Sequence, residues 1–248
     1  MTARTVSAAE IQKFDRLAAR WWDPQGPMKP LHAMNPARVA WIDSVIGPRR
    51  RVLDVGCGAG LAAEALAVLG HDVLGLDAAH DAIEAARAHA QEDGQGDGQG
   101  DGQGDGQGDG QALALRYRVG LAEDLVAEGR RFQAVTALEV VEHVPDPAAF
   151  VRVMASLLEP GGVLVMSTLN RTPRAFLTAK LGAEYLLRML PVGTHDWRAF
   201  VTPAELSGMM QAAGLRVSRS TGLVMDKLTG RWRTSRDMGV NYLIAGVN

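Results

Sequence analysis

The sequence predicts an α/β domain: a mostly parallel sheet of seven strands with an antiparallel edge strand and helices on both faces. Three observations carry that prediction. Short apolar runs alternate with alanine- and leucine-rich helical stretches through most of the chain. A glycine cluster, Gly56-Cys57-Gly58-Ala59-Gly60, joins the first such run to the first such helix, and an acidic residue, Asp77, closes the second run.

In chain order, Ala8–Ala19 has helical spacing at Ile11, Phe14, Leu17 and Ala18, and Pro36–Val45 is a second helix candidate. Together they make residues 1–48 a helical cap placed to lid the cleft. Arg51–Val55 is the first strand, followed through the glycines by a helix over Leu61–Leu69. Asp72–Leu76 is the second strand, ends at Asp77 and leads into a helix over Asp81–Ala90. Leu113–Val119, Phe132–Leu138 and Val163–Ser167 continue the strands, with a helix over Ala148–Leu158 closed by Pro160-Gly161-Gly162. Thr202 at the N-cap and Pro203 in the first turn open a helix reaching Ala213. Leu215–Ser220 and Val240–Ala245 complete the strands, the second expected at the antiparallel edge.

Length and composition bound the function. The 248 residues suffice for one large domain with additions and not for two. Hydrophobic residues at 47% and charged residues at 22% allow an apolar core, which excludes a disordered protein. A formal charge of 26 − 28 = −2 argues against a dominant nucleic-acid surface, so no nucleic-acid partner is expected. A single cysteine forms no internal disulfide, and no stretch approaches the ~20 apolar residues that span a bilayer. A reducing, cytoplasmic compartment follows as the expectation. Met1–Glu10 lacks the pattern of a secretory signal, so export is not expected.

From Asp93 the tetrapeptide Asp-Gly-Gln-Gly is written four times, and a fifth copy breaks off at Gln111. Alternate glycines raise the entropy of ordering the backbone, and Asp and Gln offer no apolar face, so residues 93–111 read as a disordered loop. A calcium-binding repeat would need an apolar anchor that this period of four lacks. Loop closure grows only logarithmically with length, so the flanks belong to one fold.

The glycine cluster lets backbone approach a ligand and sets helical N–H groups beside its negative part. Its Gly-x-Gly-x-Gly spacing differs from the Gly-x-Gly-x-x-Gly of dinucleotide enzymes. Cys57 reads as a small packed residue, since no resolving cysteine exists. Glu139, Glu142 and His143, at i, i+3 and i+4 after the fourth strand, would share one side of a helical turn. Their oxygen and imidazole donors suit a divalent cation such as Mg2+, manganese or zinc. Two alternatives stand beside it: the Glu142-His143 pair only shapes the loop, or His143 and Glu142 serve proton transfer directly. Arg171–Leu190 intersperses Phe176, Leu177, Leu181, Tyr185, Leu186, Met189 and Leu190 with Arg174, Lys180 and Arg188. It reads as amphipathic helix at the mouth of the site, within an insertion spanning 171–200.

Val-Leu-Asp-Val-Gly-Cys-Gly-Ala-Gly, with Asp54 two residues before Gly56, together with Asp77, resembles motif I and the acidic residue of class I S-adenosylmethionine-dependent methyltransferases, a Rossmann-like fold. The resemblance implies that S-adenosyl-L-methionine is the methyl donor. It implies that Asp77 accepts both ribose hydroxyls and that Asp54 orients the loop and receives the cofactor's cationic amino end. A sulfonium methyl leaves readily, so such an enzyme mainly aligns the acceptor in line with it.

The likeness extends beyond the fold. Arg20-Trp21-Trp22-Asp23, Lys29-Pro30-Leu31-His32, Asn35-Pro36-Ala37-Arg38, Glu142-His143-Val144-Pro145-Asp146, Ser167-Thr168-Leu169-Asn170-Arg171, Gly182-Ala183-Glu184-Tyr185, Gly193-Thr194-His195-Asp196-Trp197 and Asp237 to Tyr242 together resemble the ubiquinone-biosynthesis O-methyltransferases over nearly the whole chain except the repeat. The family implies methylation of a phenolic hydroxyl on 3-demethylubiquinol and on 2-polyprenyl-6-hydroxyphenol. It implies cofactor contact by Arg38, Gly56, Gly58, Asp77 and Leu138, the last at a position often filled by methionine, and a divalent cation at Glu139, Glu142 and His143 in eukaryotic relatives. Arg38 can neutralise the cofactor's carboxylate. Lipid contact through the 171–200 insertion, a peripheral place at the inner membrane and assembly with other ubiquinone-biosynthesis enzymes are implied as well. His195 is a candidate neighbour of the acceptor phenol, and Glu123 and Asp124 stand where adenine contacts occur in this fold.

Three other readings fit less well. A non-catalytic protein on this fold would have lost the glycine loop or Asp77, and both are present. A methylase of another small phenolic acceptor leaves Trp21-Trp22 and Arg171–Leu190 unexplained. RNA methylation lacks an Asn-Pro-Pro-Tyr-type motif and a concentrated basic face.

Overall fold

The computed structural model describes residues 8–92, 114–178, 199–226 and 228–248. Two helices precede the sheet, α1 (Ala8–Asp15) and α2 (Lys29–Ile46), with a 3-10 turn over Ala18–Arg20 between them. Then follow β1 (Arg51–Val55), α3 (Leu61–Val68), β2 (Asp72–Asp77), α4 (His80–Glu92), β3 (Leu115–Val119), α5 (Ala122–Ala127) and β4 (Phe132–Leu138). A 3-10 turn at Val141–His143 leads to α6 (Pro147–Ser156) and β5 (Leu158–Leu169), after which residues 173–178 form α7. The chain closes with α8 (Pro203–Ala212), β6 (Arg216–Met225), β7 (Trp232–Ser235) and β8 (Asn241–Val247).

The strands form one sheet in the order β3-β2-β1-β4-β5-β8-β6-β7. The first five are parallel, while β8 runs antiparallel between β5 and β6 and β7 returns antiparallel beside β6. The strand order reverses at β1 and β4, and the carboxyl ends flanking that switch point are where an open α/β sheet binds ligands.

Alternation within the strands builds two cores. Leu53, Val55, Val135 and Ala137 pack with α6 and α8 on one face. Val52, Ala134 and Leu138 pack with Trp41, Ile42 and Ile46 of α2 and Leu66 of α3 on the other. Each fully buried leucine or isoleucine here contributes about 1.5–3 kcal/mol relative to an exposed one. Asp146 caps α6 by accepting from the Ala149 N–H at 2.9 Å, and Thr202 caps α8 in a reciprocal box with Glu205.

The architecture is the expected one, with differences in detail. An eighth strand, β7, makes the edge, whereas the strand expected there, β8, lies inside the sheet and is buried from Asn241 to Gly246. Burial on both faces makes its apolar run continuous, and which neighbours it has is set by distant chain. Helix α2 starts seven residues before Pro36 and runs through it, its face held by Trp41, Ile42 and Ile46 despite the missing N–H. Strand β5 starts at Leu158, where Phe132 pairs with Leu158 across a register shift, so Pro160-Gly161-Gly162 interrupts a strand rather than closing a helix. The repeat and residues 179–198, with His195, lie outside the described residues.

Candidate active site

The loop after β1 turns through three left-handed positions, with φ +71° at Gly56, +54° at Gly58 and +90° at Gly60. Each has a second reason to lack a Cβ. At Gly56 it would stand 2.4 Å from Val140, at Gly58 2.3 Å from the Trp21 ring and at Gly60 2.1 Å from the Tyr117 hydroxyl. The loop is thereby sandwiched between the β4 turn, the N-terminal cap and β3.

Asp77 ties the loop down. Its Oδ2 accepts from the Gly58 N–H at 2.8 Å and its Oδ1 from the Ala79 N–H at 2.8 Å. Burial raises its carboxyl above the ordinary range, against these N–H bonds. Behind the loop, on the face covered by α2, Asp54 is buried and its Oδ1 accepts from the Thr136 hydroxyl at 2.6 Å. Burial lifts this carboxyl to about 6, opposed by that bond and by the Arg38 guanidinium. Arg38 is itself buried, donates to Asn35 Oδ1 at 2.8 Å and leaves its Nε unbonded. Desolvation lowers its pKa, while Glu139 and Asp54 oppose that shift. Cys57 is buried and its thiol pushed well up by burial, which makes it inert.

Beyond β4, Glu139 adopts φ +58° and its Oε1 accepts from the Ser167 hydroxyl at 2.8 Å and the Asn241 amide at 3.2 Å. Glu142 is half-buried, and desolvation followed by the neighbouring Glu139 carboxylate, to which it is also hydrogen-bonded, raises its carboxyl well above the usual range. The His143 ring meets the Phe14 ring edge-on, with centroids 5.5 Å apart.

A cavity of about 140 Å³ collects these groups. Gly56, Gly58 and Asp77 line one end, Leu138, Glu139, Val140 and His143 another, and Ile11, Phe14, Trp21 and Leu31 of the cap close it. Gly120, Leu121 and Ala122 form the wall beside Asp77, with the Leu121 N–H donating to Asp124 Oδ2 at 3.0 Å. The structure thus brings Gly56, Gly58, Asp77, Leu138, Glu139 and His143 together around one space. Arg38 and Asp54 lie behind the loop, outside that lining. Glu142 instead lines a groove between α6 and α8, beside Asp146, Arg152 and Met209.

This arrangement is a cofactor cleft, and comparison with known proteins identifies its kind. A family model described as a methyltransferase domain matches residues 12–220. A ubiquinone biosynthesis O-methyltransferase of Azorhizobium caulinodans is 43% identical over 260 residues, covering 99% of this chain and 96% of that protein. One from Xanthomonas axonopodis pv. citri is 45% identical over 241 residues, covering 96% and 93%. The chain belongs to the ubiquinone biosynthesis O-methyltransferase family. It is accordingly an S-adenosylmethionine-dependent O-methyltransferase.

Solved structures show the same fold at low identity. The magnesium protoporphyrin IX methyltransferase of Synechocystis PCC 6803, with S-adenosylhomocysteine bound, aligns with TM-score 0.56 at 20% identity, covering 86% of this chain and 81% of that one. A Thermotoga maritima S-adenosylmethionine-dependent methyltransferase aligns with TM-score 0.61 at 17% identity, covering 96% and 98%.

One expectation for this family member needs correction. Glu139, Glu142 and His143 do not form a three-ligand cluster, and no group of three such side chains able to hold a metal exists among the described residues. The spacing assumed a continuous helical turn, but Glu139 sits in left-handed backbone and only Val141–His143 is helical. Glu139 therefore turns to Ser167 and Asn241 and keeps a side-chain hydrogen bond to Glu142, whose other side faces the groove beside α6. As placed, the described residues do not assemble three ligands for a cation.

Sequence reading quoted Trp21, Ser167 and Asn241 within its motifs but missed what they hold, and it missed Thr136 altogether. Trp21 on Gly58, Thr136 on Asp54, and Ser167 and Asn241 on Glu139 are contacts between distant segments. Thr136 carried a local hint of its own, a hydroxyl in a mostly apolar strand beside β1.

Proposed function

We propose that the protein transfers the S-adenosylmethionine methyl group to a phenolic hydroxyl of two polyprenylated rings, 3-demethylubiquinol and 2-polyprenyl-6-hydroxyphenol. The observation that supports this best is a single cavity with the glycine loop and Asp77 at one end and His143 at another. The cofactor occupies the first part, its ribose on Asp77 and its methyl directed toward Leu138. The acceptor ring enters beside Glu139 and His143. Alignment supplies most of the rate, since a sulfonium is a good leaving group.

The phenol proton passes to His143, the imidazole in the lining, as the ring oxygen attacks the methyl. Glu142, whose carboxyl is raised well above the usual range by desolvation and by Glu139, shapes the turn that carries His143. A divalent cation is expected from the spacing of the acidic turn, but no set of three ligands is assembled among the described residues, and this reading gives the proton to the protein's own side chains. No described helix is long and apolar enough to cross a membrane. Our reading is peripheral contact with the inner membrane through the 171–200 insertion and association with other ubiquinone-biosynthesis enzymes.

The test is transfer of labelled methyl to short-tailed versions of both acceptors, with chelator, with Mg2+ and with neither. Methylation of both at a rate indifferent to chelator is expected, and His143→Gln should lower kcat by about 100-fold or more while cofactor affinity is kept. Failure on both acceptors, or transfer only to a soluble catechol, with cofactor binding intact, would overturn the substrate assignment. Full inhibition by chelator would overturn the metal-free proton path.

A further inference from the structure

The hairpin joining β6 to β7 has no part in the cavity, yet its tip carries the most exposed large apolar side chain of the described residues. Leu228 is 97% exposed and Met225, at the end of β6, is 52% exposed. An exposed leucine at a loop tip is common alone. Here two further observations accompany it.

The first is position. Leu169 at the carboxyl end of β5 pairs with Asn241, and Asn241 pairs with Leu223 of β6. Strand β6 therefore runs in the same direction as β5, and two more residues carry Met225 about 7 Å past that level. The tip stands beyond the sheet on the same end as the cavity, where Asn241 touches Glu139. Helix α7, which follows β5 at that end, exposes Leu177 by 58%.

The second is charge. Between Asp226 and Asp237 the sequence places Lys227, Arg231, Arg233 and Arg236 against those two acids, a balance of 4 − 2 = +2 in a chain of net −2. Both acids are engaged locally. Asp226 Oδ1 accepts from the Leu228 and Thr229 N–H groups at 2.9 and 3.1 Å, and Asp237 accepts from Arg174 of α7 at 2.6 Å. Arg231, Arg233 and Arg236 are exposed; none is within ion-pair distance of a carboxylate among the described residues, and Arg233 acts on Asp226 only through the longer-range attraction that helps to lower its carboxyl. The turn is closed by its own backbone, with the Asp226 N–H donating to Arg231 O and the Gly230 N–H to Asp226 O, both at 2.8 Å.

We infer that the β6–β7 hairpin is a second membrane contact, separate from the 171–200 insertion, that enters an anionic lipid surface end-on with Leu228 below the headgroups and Arg231 and Arg233 among them. A single apolar protrusion ringed by arginine suits a bilayer interface, because the leucine reaches acyl chains while the guanidinium groups stay with phosphate. It offers no broad apolar area of the kind that a stable protein interface buries. The contact turns the cavity end of the sheet toward the bilayer, and its role in presenting the acceptor rests on the substrate reading above.

The experiment is co-sedimentation of the full chain with phosphatidylcholine vesicles holding 0 or 30% phosphatidylglycerol. Binding only to the anionic vesicles is expected, weakened roughly tenfold by Leu228→Asp and by Arg231→Glu with Arg233→Glu. Thermal unfolding and methylation of a soluble short-tailed acceptor should stay unchanged in both variants. Equal binding by Leu228→Asp and the natural chain, binding indifferent to phosphatidylglycerol, or loss confined to Leu177→Asp would overturn the inference. Vesicle binding as expected without methylation of either acceptor would sink the substrate reading and leave the lipid surface standing.

Discussion

At Gly58 two demands coincide, a φ of +54° and a neighbouring indole ring. A β-carbon there would strain the backbone by about 1–2 kcal/mol and push Trp21 off the loop. Gly58→Ala should therefore weaken S-adenosylmethionine at least tenfold by calorimetry, and an unchanged Kd would show that the loop tolerates a side chain. Asp54 makes a different prediction. Its carboxyl is raised from 3.8 to about 6, so the folded state holds the proton more tightly than the unfolded chain. A raised acid is most favourable to folding at low pH and loses stability as pH climbs through that window. Relative to Asp54→Asn, the natural chain should lose on the order of 3 kcal/mol between pH 3 and 7. Parallel stability curves for the two proteins in that range would refute the burial argument. The glycines and both aspartates were legible in the sequence because they sit in one short motif. Arg38 was legible as a residue, but its place between Asp54 and Glu139 was not.

Among the elements, the N-terminal cap governs access. The cavity that it lines, about 140 Å³, is smaller than the roughly 300 Å³ at which small-molecule pockets begin, so admission of the cofactor is expected to need outward movement of the cap. Trp22 fastens it: its ring stacks on His89 at 3.4 Å and its Nε1–H donates to Ala59 O at 2.9 Å. Glu64 holds His89 from beneath at 2.9 Å. Losing the stack and the bond removes about 2 kcal/mol from the closed state. Trp22→Ala should accordingly release cofactor up to about 30-fold faster in stopped flow, and Trp22→Phe, which keeps a stacking ring, should fall between. Equal release from all three would mean that the cap does not gate the cleft. The tryptophan pair stood out in the sequence as a motif, whereas its partners, 37 and 67 residues away, had no local signal. Helix α8 shows the opposite case, since Thr202, Pro203 and Glu205 announce their own start within four residues.

For the whole molecule, α4 ends at Glu92 and β3 resumes the sheet at Leu115, so the Asp-Gly-Gln-Gly repeat connects two elements of one fold. Replacing residues 93–111 by a short glycine–serine link changes closure entropy by only about 1 kcal/mol. Unfolding midpoint and methyl transfer should both survive that excision, and a large fall in either would give the repeat a structural task.

The sequence by itself determined the alternation of strands and helices, the glycine loop with its two acids, and membership of a methyltransferase family, because each is written in residues a few positions apart. Only the tertiary structure decided that β8 lies inside an eight-stranded sheet and that Glu139 is held by Ser167 and Asn241. It likewise parted Glu142 from the cavity that His143 lines. Pairing between strands as far apart as β5 and β8 leaves no periodic trace in either, and one left-handed residue at Glu139 is enough to break the single helical face that spacing alone would have given Glu139, Glu142 and His143.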